Sequence, residues 1–216
     1  MIVIDKIIDE QLMVRVRKPG VIRASELGHP CTRKLQYHFH DPLNQTHTGL
    51  TCFVLESGIR GEDVFIERLP DGFSIIRRQE EFKLGELEGH IDGVLVCPDG
   101  SQYLWEHKVC GQDKFNKAKK GIALISFDAA YYTQAFVYMM LSGIKQHLTT
   151  VELSGGRDYA EILTEYNPAH EELVKAKIES VKSEVMMPPL PKWQQNIYCK
   201  GCEYYDRCFK TEGLSS

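Results

Sequence analysis

Two groups of residues in this chain have the types and spacing for chemistry. The first is Asp92 together with Glu106-His107-Lys108. Side chains two apart on a strand share a face, so Lys108 points the same way as Glu106 while His107 points away. Between the acids lies Pro98-Asp99-Gly100-Ser101, a strong hairpin turn signal. Asp92 stands seven residues before Asp99 and Glu106 seven after it, so an antiparallel register sets them opposite each other within about one residue. A strict two-residue turn at Asp99-Gly100 would pair Asp92 with His107 instead, so convergence requires an odd-length loop or a bulge. An Asp facing Glu-x-Lys suits metal-assisted phosphodiester cleavage. Carboxylate oxygens accept a hard ion such as Mg2+ or Mn2+, which polarises the phosphate and lowers the pKa of an attacking water. A lysine alongside meets the negative charge that develops in the transition state. A surface salt bridge on a charged hairpin edge is the plainer alternative, but Val94, Leu95, Leu104 and Trp105 mark a core hairpin, where charge needs a reason.

The second group is made of cysteines. Seven thiols cannot all pair within one chain, and Cys199-Lys200-Gly201-Cys202 followed by Cys208 gives C-x2-C-x5-C. A C-x-x-C brings two thiolates to one centre from a single turn, and the third follows after a short loop. A fourth ligand is missing locally. Structural zinc sites favour two close C-x-x-C pairs, a pattern this chain lacks. Cys52, Cys97 and Cys110 read as apolar fillers.

The elements that must position these groups follow from the patterning of 216 residues, a length that favours one domain with additions. Helical spacing covers Ser25 to about Phe39, broken at Gly28-His29-Pro30, and about Thr48 to Leu69, with Leu50, Phe53, Val54 and Ile59 among its apolar positions. Strands are expected from Phe73 to Val109, then a lysine-rich loop from Gly111 to about Asp128 and a helix from Ala129 to Ser142 with Gly143 as C-cap. Two strands, about Gln146 to Leu153 and Tyr159 to Tyr166, flank Ser154-Gly155-Gly156. Pro168 then opens a helix to about Met186, which the proline run Met187 to Pro191 ends.

Composition narrows the class further. Hydrophobic residues at 43% and charged residues at 26% suit a globular chain. A net charge of −4 argues against coating nucleic acid by bulk charge, so any grip on it must be local. No signal peptide opens the sequence and no stretch is long and apolar enough for a membrane, so a cytoplasmic location is expected. There is no P-loop.

Taken in order, these motifs resemble the PD-(D/E)XK nuclease superfamily in its RecB-type iron-sulfur exonuclease branch, similar to CRISPR-adaptation nucleases and the AddB nuclease domain. Gly89-His90-Ile91-Asp92-Gly93-Val94 and Leu104-Trp105-Glu106-His107-Lys108 look like motifs II and III, and Tyr131-Tyr132-Thr133-Gln134-Ala135-Phe136-Val137-Tyr138 resembles the Q-x-x-x-Y motif. Gln134 and Tyr138, four apart, reach from one helix face toward the same place. Gly58-Ile59-Arg60-Gly61-Glu62 resembles motif I, with Glu62 as its acid and Glu56 as the alternative. Leu27 to Tyr37 resembles the segment holding the first cluster cysteine, here Cys31, which with Cys199, Cys202 and Cys208 matches the ligand spacing of a 4Fe-4S cluster in that branch.

The resemblance implies a restriction-endonuclease-like α/β fold, a mixed central sheet flanked by helices, with a C-terminal iron-sulfur segment closed onto an N-terminal helix. Residues 1–20 would be an N-terminal extension, 21–186 the nuclease core and 187–216 the cluster segment. It implies a divalent-metal-dependent DNA exonuclease acting mainly on single-stranded ends in recombination, repair or CRISPR spacer acquisition, with single-stranded DNA as partner and, for want of a P-loop motor, a helicase or a recombination or CRISPR-adaptation protein as a second. Glu62, Asp92, Glu106 and the His107 main-chain carbonyl would hold Mg2+ or Mn2+, while Lys108, Gln134 and Tyr138 would serve catalysis. His90 would share the face of Asp92. Lys114, Lys117, Lys119 and Lys120, interleaved with Phe115 and Phe127, are candidates for tracking a DNA backbone; Arg33, Lys34, Arg77 and Arg78 are weaker ones. The alternatives are a DNA-end-binding module with a vestigial site, and a zinc-clasped RNA nuclease.

Overall fold

A computed structural model describes residues 13–47 and 49–211; the first part of the expected N-terminal extension and Thr48 lie outside the described residues. The central element is a five-stranded sheet in the order β10-β9-β8-β7-β4, formed by β4 (Ser74–Ile76), β7 (Gly93–Val96), β8 (Gln102–Cys110), β9 (Gln146–Leu153) and β10 (Tyr159–Glu165). Within this sheet only β8 and β9 pair in parallel among the described residues. A parallel pair needs a crossover, and here it runs through α4 (Gln112–Lys119), α5 (Leu124–Phe127) and α6 (Ala129–Ser142). A smaller sheet, β2-β6-β5, is built from β2 (Ile22–Arg23), β5 (Glu81–Leu84) and β6 (Leu87–His90), and β1 (Met13–Arg15) pairs with β3 (Gln45–His47).

Helix α6 carries Phe136, Val137, Tyr138 and Met139 into the main core, against Ile91, Val94 and Leu104. Its ends follow local chemistry. Asp128 caps the first turn by accepting from the amides of Ala130 and Tyr131, and Gly143 leaves the helix at φ 78°. On the opposite face of the sheet lies α3 (Gly49–Glu67), whose Phe65 stacks on Trp105 with ring centroids 5.5 Å apart. The expected apolar spacing of this helix is only partly buried: Phe53 and Val54 are each 62% exposed and Ile59 58%, while Gly61 and Phe65 in its second half meet the sheet.

The remaining chain packs on the N-terminal helices α1 (Ala24–Leu27) and α2 (Thr32–His40), which are separated at Gly28-His29-Pro30. Helix α7 (Pro168–Lys182) stops short of the expected Met186, and α8 (Lys192–Tyr198) precedes a π-helical turn, Arg207–Thr211. Gln36 donates to the carbonyls of Ser180 and Val185 and accepts from the amide of Met187. Tyr204 stacks on Tyr37 at 4.9 Å. The C-terminal segment is thereby fixed to α2 by the Gln36 hydrogen bonds and by a cluster of Tyr37, Tyr204 and Cys208.

Candidate active site

The loop of the hairpin spans Cys97 to Ser101, an odd length, and the amide of Cys97 donates to the Ser101 carbonyl at 2.9 Å. Gly93 therefore pairs with Trp105, and the same register carried one step further sets Asp92 against Glu106. Asp92 itself is outside the strand. The chain breaks at Ile91-Asp92, where it leaves β6 in one sheet and enters β7 in the other. His90 ends β6, paired with Glu81 and exposed, so it does not share a strand face with Asp92 as the sequence suggested.

At this junction Asp92 Oδ2 accepts from the His107 amide at 2.9 Å, which ties the acid to the strand that bears Glu106. Glu106 is buried, with Oε1 accepting from Gln134 Nε2 at 2.7 Å and Oε2 facing Lys108 Nζ at 3.3 Å. Gln134 also reaches the Tyr138 hydroxyl at 3.4 Å. Tyr138 lies so close to β6 that a Cβ on Gly89 would stand 2.7 Å from its ring, so glycine there makes room for the tyrosine. Glu62 is buried in the second half of α3, with Gln79 Nε2 3.4 Å from its Oε2. Glu56 is exposed on the same helix.

The charges explain one another. Burial first, then the Asp92 carboxylate, pushes Glu62 up to about 7. Glu106 is likewise pushed up to about 7 by burial, with Asp92 and Glu62 adding repulsion and Lys108 opposing it. Burial alone would pull Lys108 down, but the Glu106 and Asp92 carboxylates outweigh it and hold the ammonium above its ordinary range. Burial, then Glu106, also raises the Tyr138 phenol. Three acids thus share one lysine, which leaves an excess of negative charge and hard oxygen donors suited to a divalent cation. As they stand, no three His, Cys, Asp or Glu side chains among the described residues are gathered closely enough to hold a metal ion.

The other face of β8 holds residues that sequence reasoning missed. Thr150 accepts from the Trp105 indole N–H at 3.0 Å and lies 3.0 Å from His107 Nδ1, while His107 Nε2 is 3.3 Å from Glu152. Burial pulls the His107 ring below its usual range. Gly61 of α3 lies over this network, and a Cβ there would approach the Val109 methyl at 3.0 Å and His107 Nε2 at 3.2 Å. The available signal was a run of polar residues, Thr149-Thr150 and Glu152, within an expected core strand.

The expected loop from Gly111 to Asp128 is mostly helical, as α4 and α5. Phe115 and Phe127 are 2% and 6% exposed and belong to a core cluster, so they are not free to stack on bases. Lys114 pairs with Asp128 at 2.7 Å and lies over Tyr131, and Lys119 pairs with Asp158 at 2.9 Å; Lys117 and Lys120 are exposed. The weaker cationic candidates are also engaged: Arg33 is buried and donates to Met187 O, Lys34 pairs with Glu203, Arg77 with Glu80, and Arg78 with Asp63.

Cys31, Cys199, Cys202 and Cys208 line one small cavity beside Tyr37 and Tyr204. Cys31 caps α2, its sulfur accepting from the Lys34 amide at 3.4 Å. Burial, followed by the other three cysteines, pushes the Cys199 thiol up. Cys52, Cys97 and Cys110 are half-buried rather than core fillers.

No protein-family model matches the chain, and no curated protein matches it. Among solved structures, the crystal structure of SSO0001 is similar with a TM-score of 0.51 at 16% sequence identity, covering 90% of this chain and 88% of that one. The crystal structure of LHK-Exo in complex with dAMP has a TM-score of 0.52 at 12% identity, covering 76% of this chain and 87% of that one. LHK-Exo is an alkaline exonuclease from Laribacter hongkongensis. At these identities the likeness is one of fold: a mixed α/β architecture, its mixed sheets flanked by helices.

Proposed function

We propose that the chain is a divalent-metal-dependent DNA exonuclease acting mainly on single-stranded ends, of the PD-(D/E)XK type. The observation that carries this reading is the convergence of Asp92, buried Glu106, Lys108 and Gln134 at the junction of two sheets. The fold's similarity to LHK-Exo, an exonuclease solved with dAMP, supports the same chemistry.

Glu62, Asp92, Glu106 and the His107 main-chain carbonyl would hold Mg2+ or Mn2+. When bound, such an ion supplies a Lewis acid at the scissile phosphate and a more acidic water. Gln134 fixes one oxygen of Glu106, which leaves the carboxylate in a single orientation. Lys108, kept charged by its acidic neighbours, meets the charge that builds on the phosphoryl oxygens. The Tyr138 hydroxyl, accepting from Gln134, keeps its proton for the strand's phosphate.

In the same reading Cys31, Cys199, Cys202 and Cys208 hold a 4Fe-4S cluster that clasps α2 to the C-terminal segment, and residues 187–216 form its segment. Support comes from the shared cavity and from the effect that the other three cysteines, after burial, have on the Cys199 thiol. The motif order extends the reading to recombination, repair or CRISPR spacer acquisition in the cytoplasm, beside a helicase or an adaptation protein.

The test is a digest of end-labelled single-stranded DNA and RNA by anaerobically purified protein, with Mn2+ and with a chelator. Stepwise DNA shortening that needs the ion, and that Asp92→Ala lowers by at least about 10³-fold while keeping the brown cluster absorbance, is the expected result. DNA binding without turnover in Mn2+ would favour a vestigial site. A zinc-loaded protein that cuts only RNA would also overturn the reading.

A further inference from the structure

Helix α8 (Lys192–Tyr198) buries none of its side chains. Trp193 and Ile197, four residues apart and so on one side of the helix, are 71% and 68% exposed. An indole left in water by a helix that needs it for no packing invites a ligand with a flat apolar face. The polar surroundings narrow the choice. From Pro191 to Cys202 the only charged residues are Lys192 and Lys200; both are exposed, and neither forms an ion pair among the described residues. In a chain of net charge −4 this segment is locally cationic. Gln194, Gln195 and Asn196 interrupt the apolar surface with amides. An aromatic platform bracketed by lysines and amides complements a single-stranded nucleic acid, whose bases stack while its phosphates meet the ammonium groups.

The helix also lies on a route to the hairpin site. Tyr198 lines a cavity with His29 and Lys34, and the start of α6, Asp128 and Ala129, lines it too. Asp128 holds Lys114 at 2.7 Å, and the Lys114 ammonium lies 4.4 Å from the centre of the Tyr131 ring. Lys108 lies over that same ring at 5.3 Å. One cavity thus reaches from Tyr198 of α8 to Asp128, and the Lys114 and Tyr131 contacts continue from there to the lysine beside Glu106.

We infer that α8 is a second DNA contact, outside the active site, in which Trp193 stacks on a base of the single strand whose end lies at the hairpin. The identity of the strand as DNA rests on the proposed nuclease reading, but binding at α8 is measured without cleavage. Trp193 also supplies its own signal, because the chain has two tryptophans and Trp105 is 0% exposed.

The experiment titrates the full chain, in chelator, with an oligothymidylate of about 16 nucleotides while following tryptophan emission. A saturable quench is expected. Trp193→Ala should weaken binding about 5- to 150-fold, and Trp193→Phe should restore most of it. The double variant Lys192→Ala/Lys200→Ala should flatten the log-affinity against log-salt slope by roughly 1.4. In cleavage assays Trp193→Ala should raise KM for a long strand and leave kcat unchanged. Unquenched emission on binding, or equal affinity in Trp193→Ala, would overturn the inference and leave the nuclease reading standing. Absence of any DNA binding by the unaltered protein, together with absence of cleavage, would instead remove that reading. Emission that changes with protein concentration alone would replace the strand with a second copy of the chain and overturn the inference as well.

Discussion

Glu26 of α1 and Glu106 of β8 are both withdrawn from water, yet their carboxyls move in opposite directions, Glu26 down to about 2 and Glu106 up to about 7. Burial is the largest influence on each and raises both. What differs is the company. Glu26 is bonded to His38 at 3.0 Å and to Arg17 at 2.8 Å, while Glu203 across the same cluster takes Lys34 and the other His38 nitrogen. Around Glu106, one lysine answers three acids. The N-terminal cluster uses its charges to join α1, α2 and the C-terminal segment, whereas the hairpin gathers acids that its one lysine does not match. Uncompensated buried charge is what a catalytic site needs and what a purely structural cluster avoids.

The comparison is broken most directly at Glu26. Its folded pKa lies below the ordinary carboxylate value of 4.5, so its contribution to stability is present above about pH 4.5 and is lost as pH falls toward 2. Glu26→Gln should cost roughly 2–3 kcal/mol in urea unfolding at pH 7 and should flatten the acid limb of the stability profile, with cleavage per folded molecule unchanged. Equal stability of variant and parent at pH 7 would mean that the cluster does not hold α1, α2 and the C-terminal segment together.

Glu62 has the reverse sign. Its folded pKa of about 7 exceeds 4.5, so stability from this group is full below about pH 4.5 and is lost as pH rises through 7. At pH 8, with divalent ions chelated, Glu62→Gln should therefore stabilise the protein by about 1 kcal/mol while lowering Mn2+-dependent cleavage. A variant less stable than the parent would show that the hairpin acids are compensated after all.

The two regions were unequally legible in the sequence. The hairpin was readable because its determinants are local: an odd loop around Asp99-Gly100 sets the register, and four-residue spacing aligns Gln134 with Tyr138. The break at Ile91-Asp92 was hidden, because alternation is the same whether a chain continues in one sheet or crosses to another. The spacing in α3 was misleading for a related reason: it marks apolar positions such as Phe53 and Val54 but not the partner that would cover them. The lysines of α4 masked a helix whose Phe115 belongs to the core. The Glu26–His38–Glu203 cluster joins residues more than 160 positions apart, and no periodicity reports such a contact.

Lys114 supplies the smallest effect and the finest division between the two regions. It resembles the N-terminal cluster in being matched to a carboxylate, Asp128, whose own pKa is lowered: burial opposes the ionised form most, but the Lys114 bond and charge together with the Tyr131 and Ala130 amides outweigh it. It resembles the hairpin in its place, since it shares the Tyr131 ring with Lys108. A partly exposed pair of this kind contributes less than about 1 kcal/mol, so Lys114→Ala should scarcely move the unfolding midpoint. If compensation decides the role, the variant should also keep the kcat of the parent and lose less than one phosphate contact's share, about 0.7, of the salt slope for single-stranded DNA. Exposed Lys117 carries no such partner among the described residues, and Lys117→Ala should lose that full share. A larger loss at Lys114 than at Lys117 would make proximity to the acids, rather than unmet charge, the property that separates a functional lysine from a structural one.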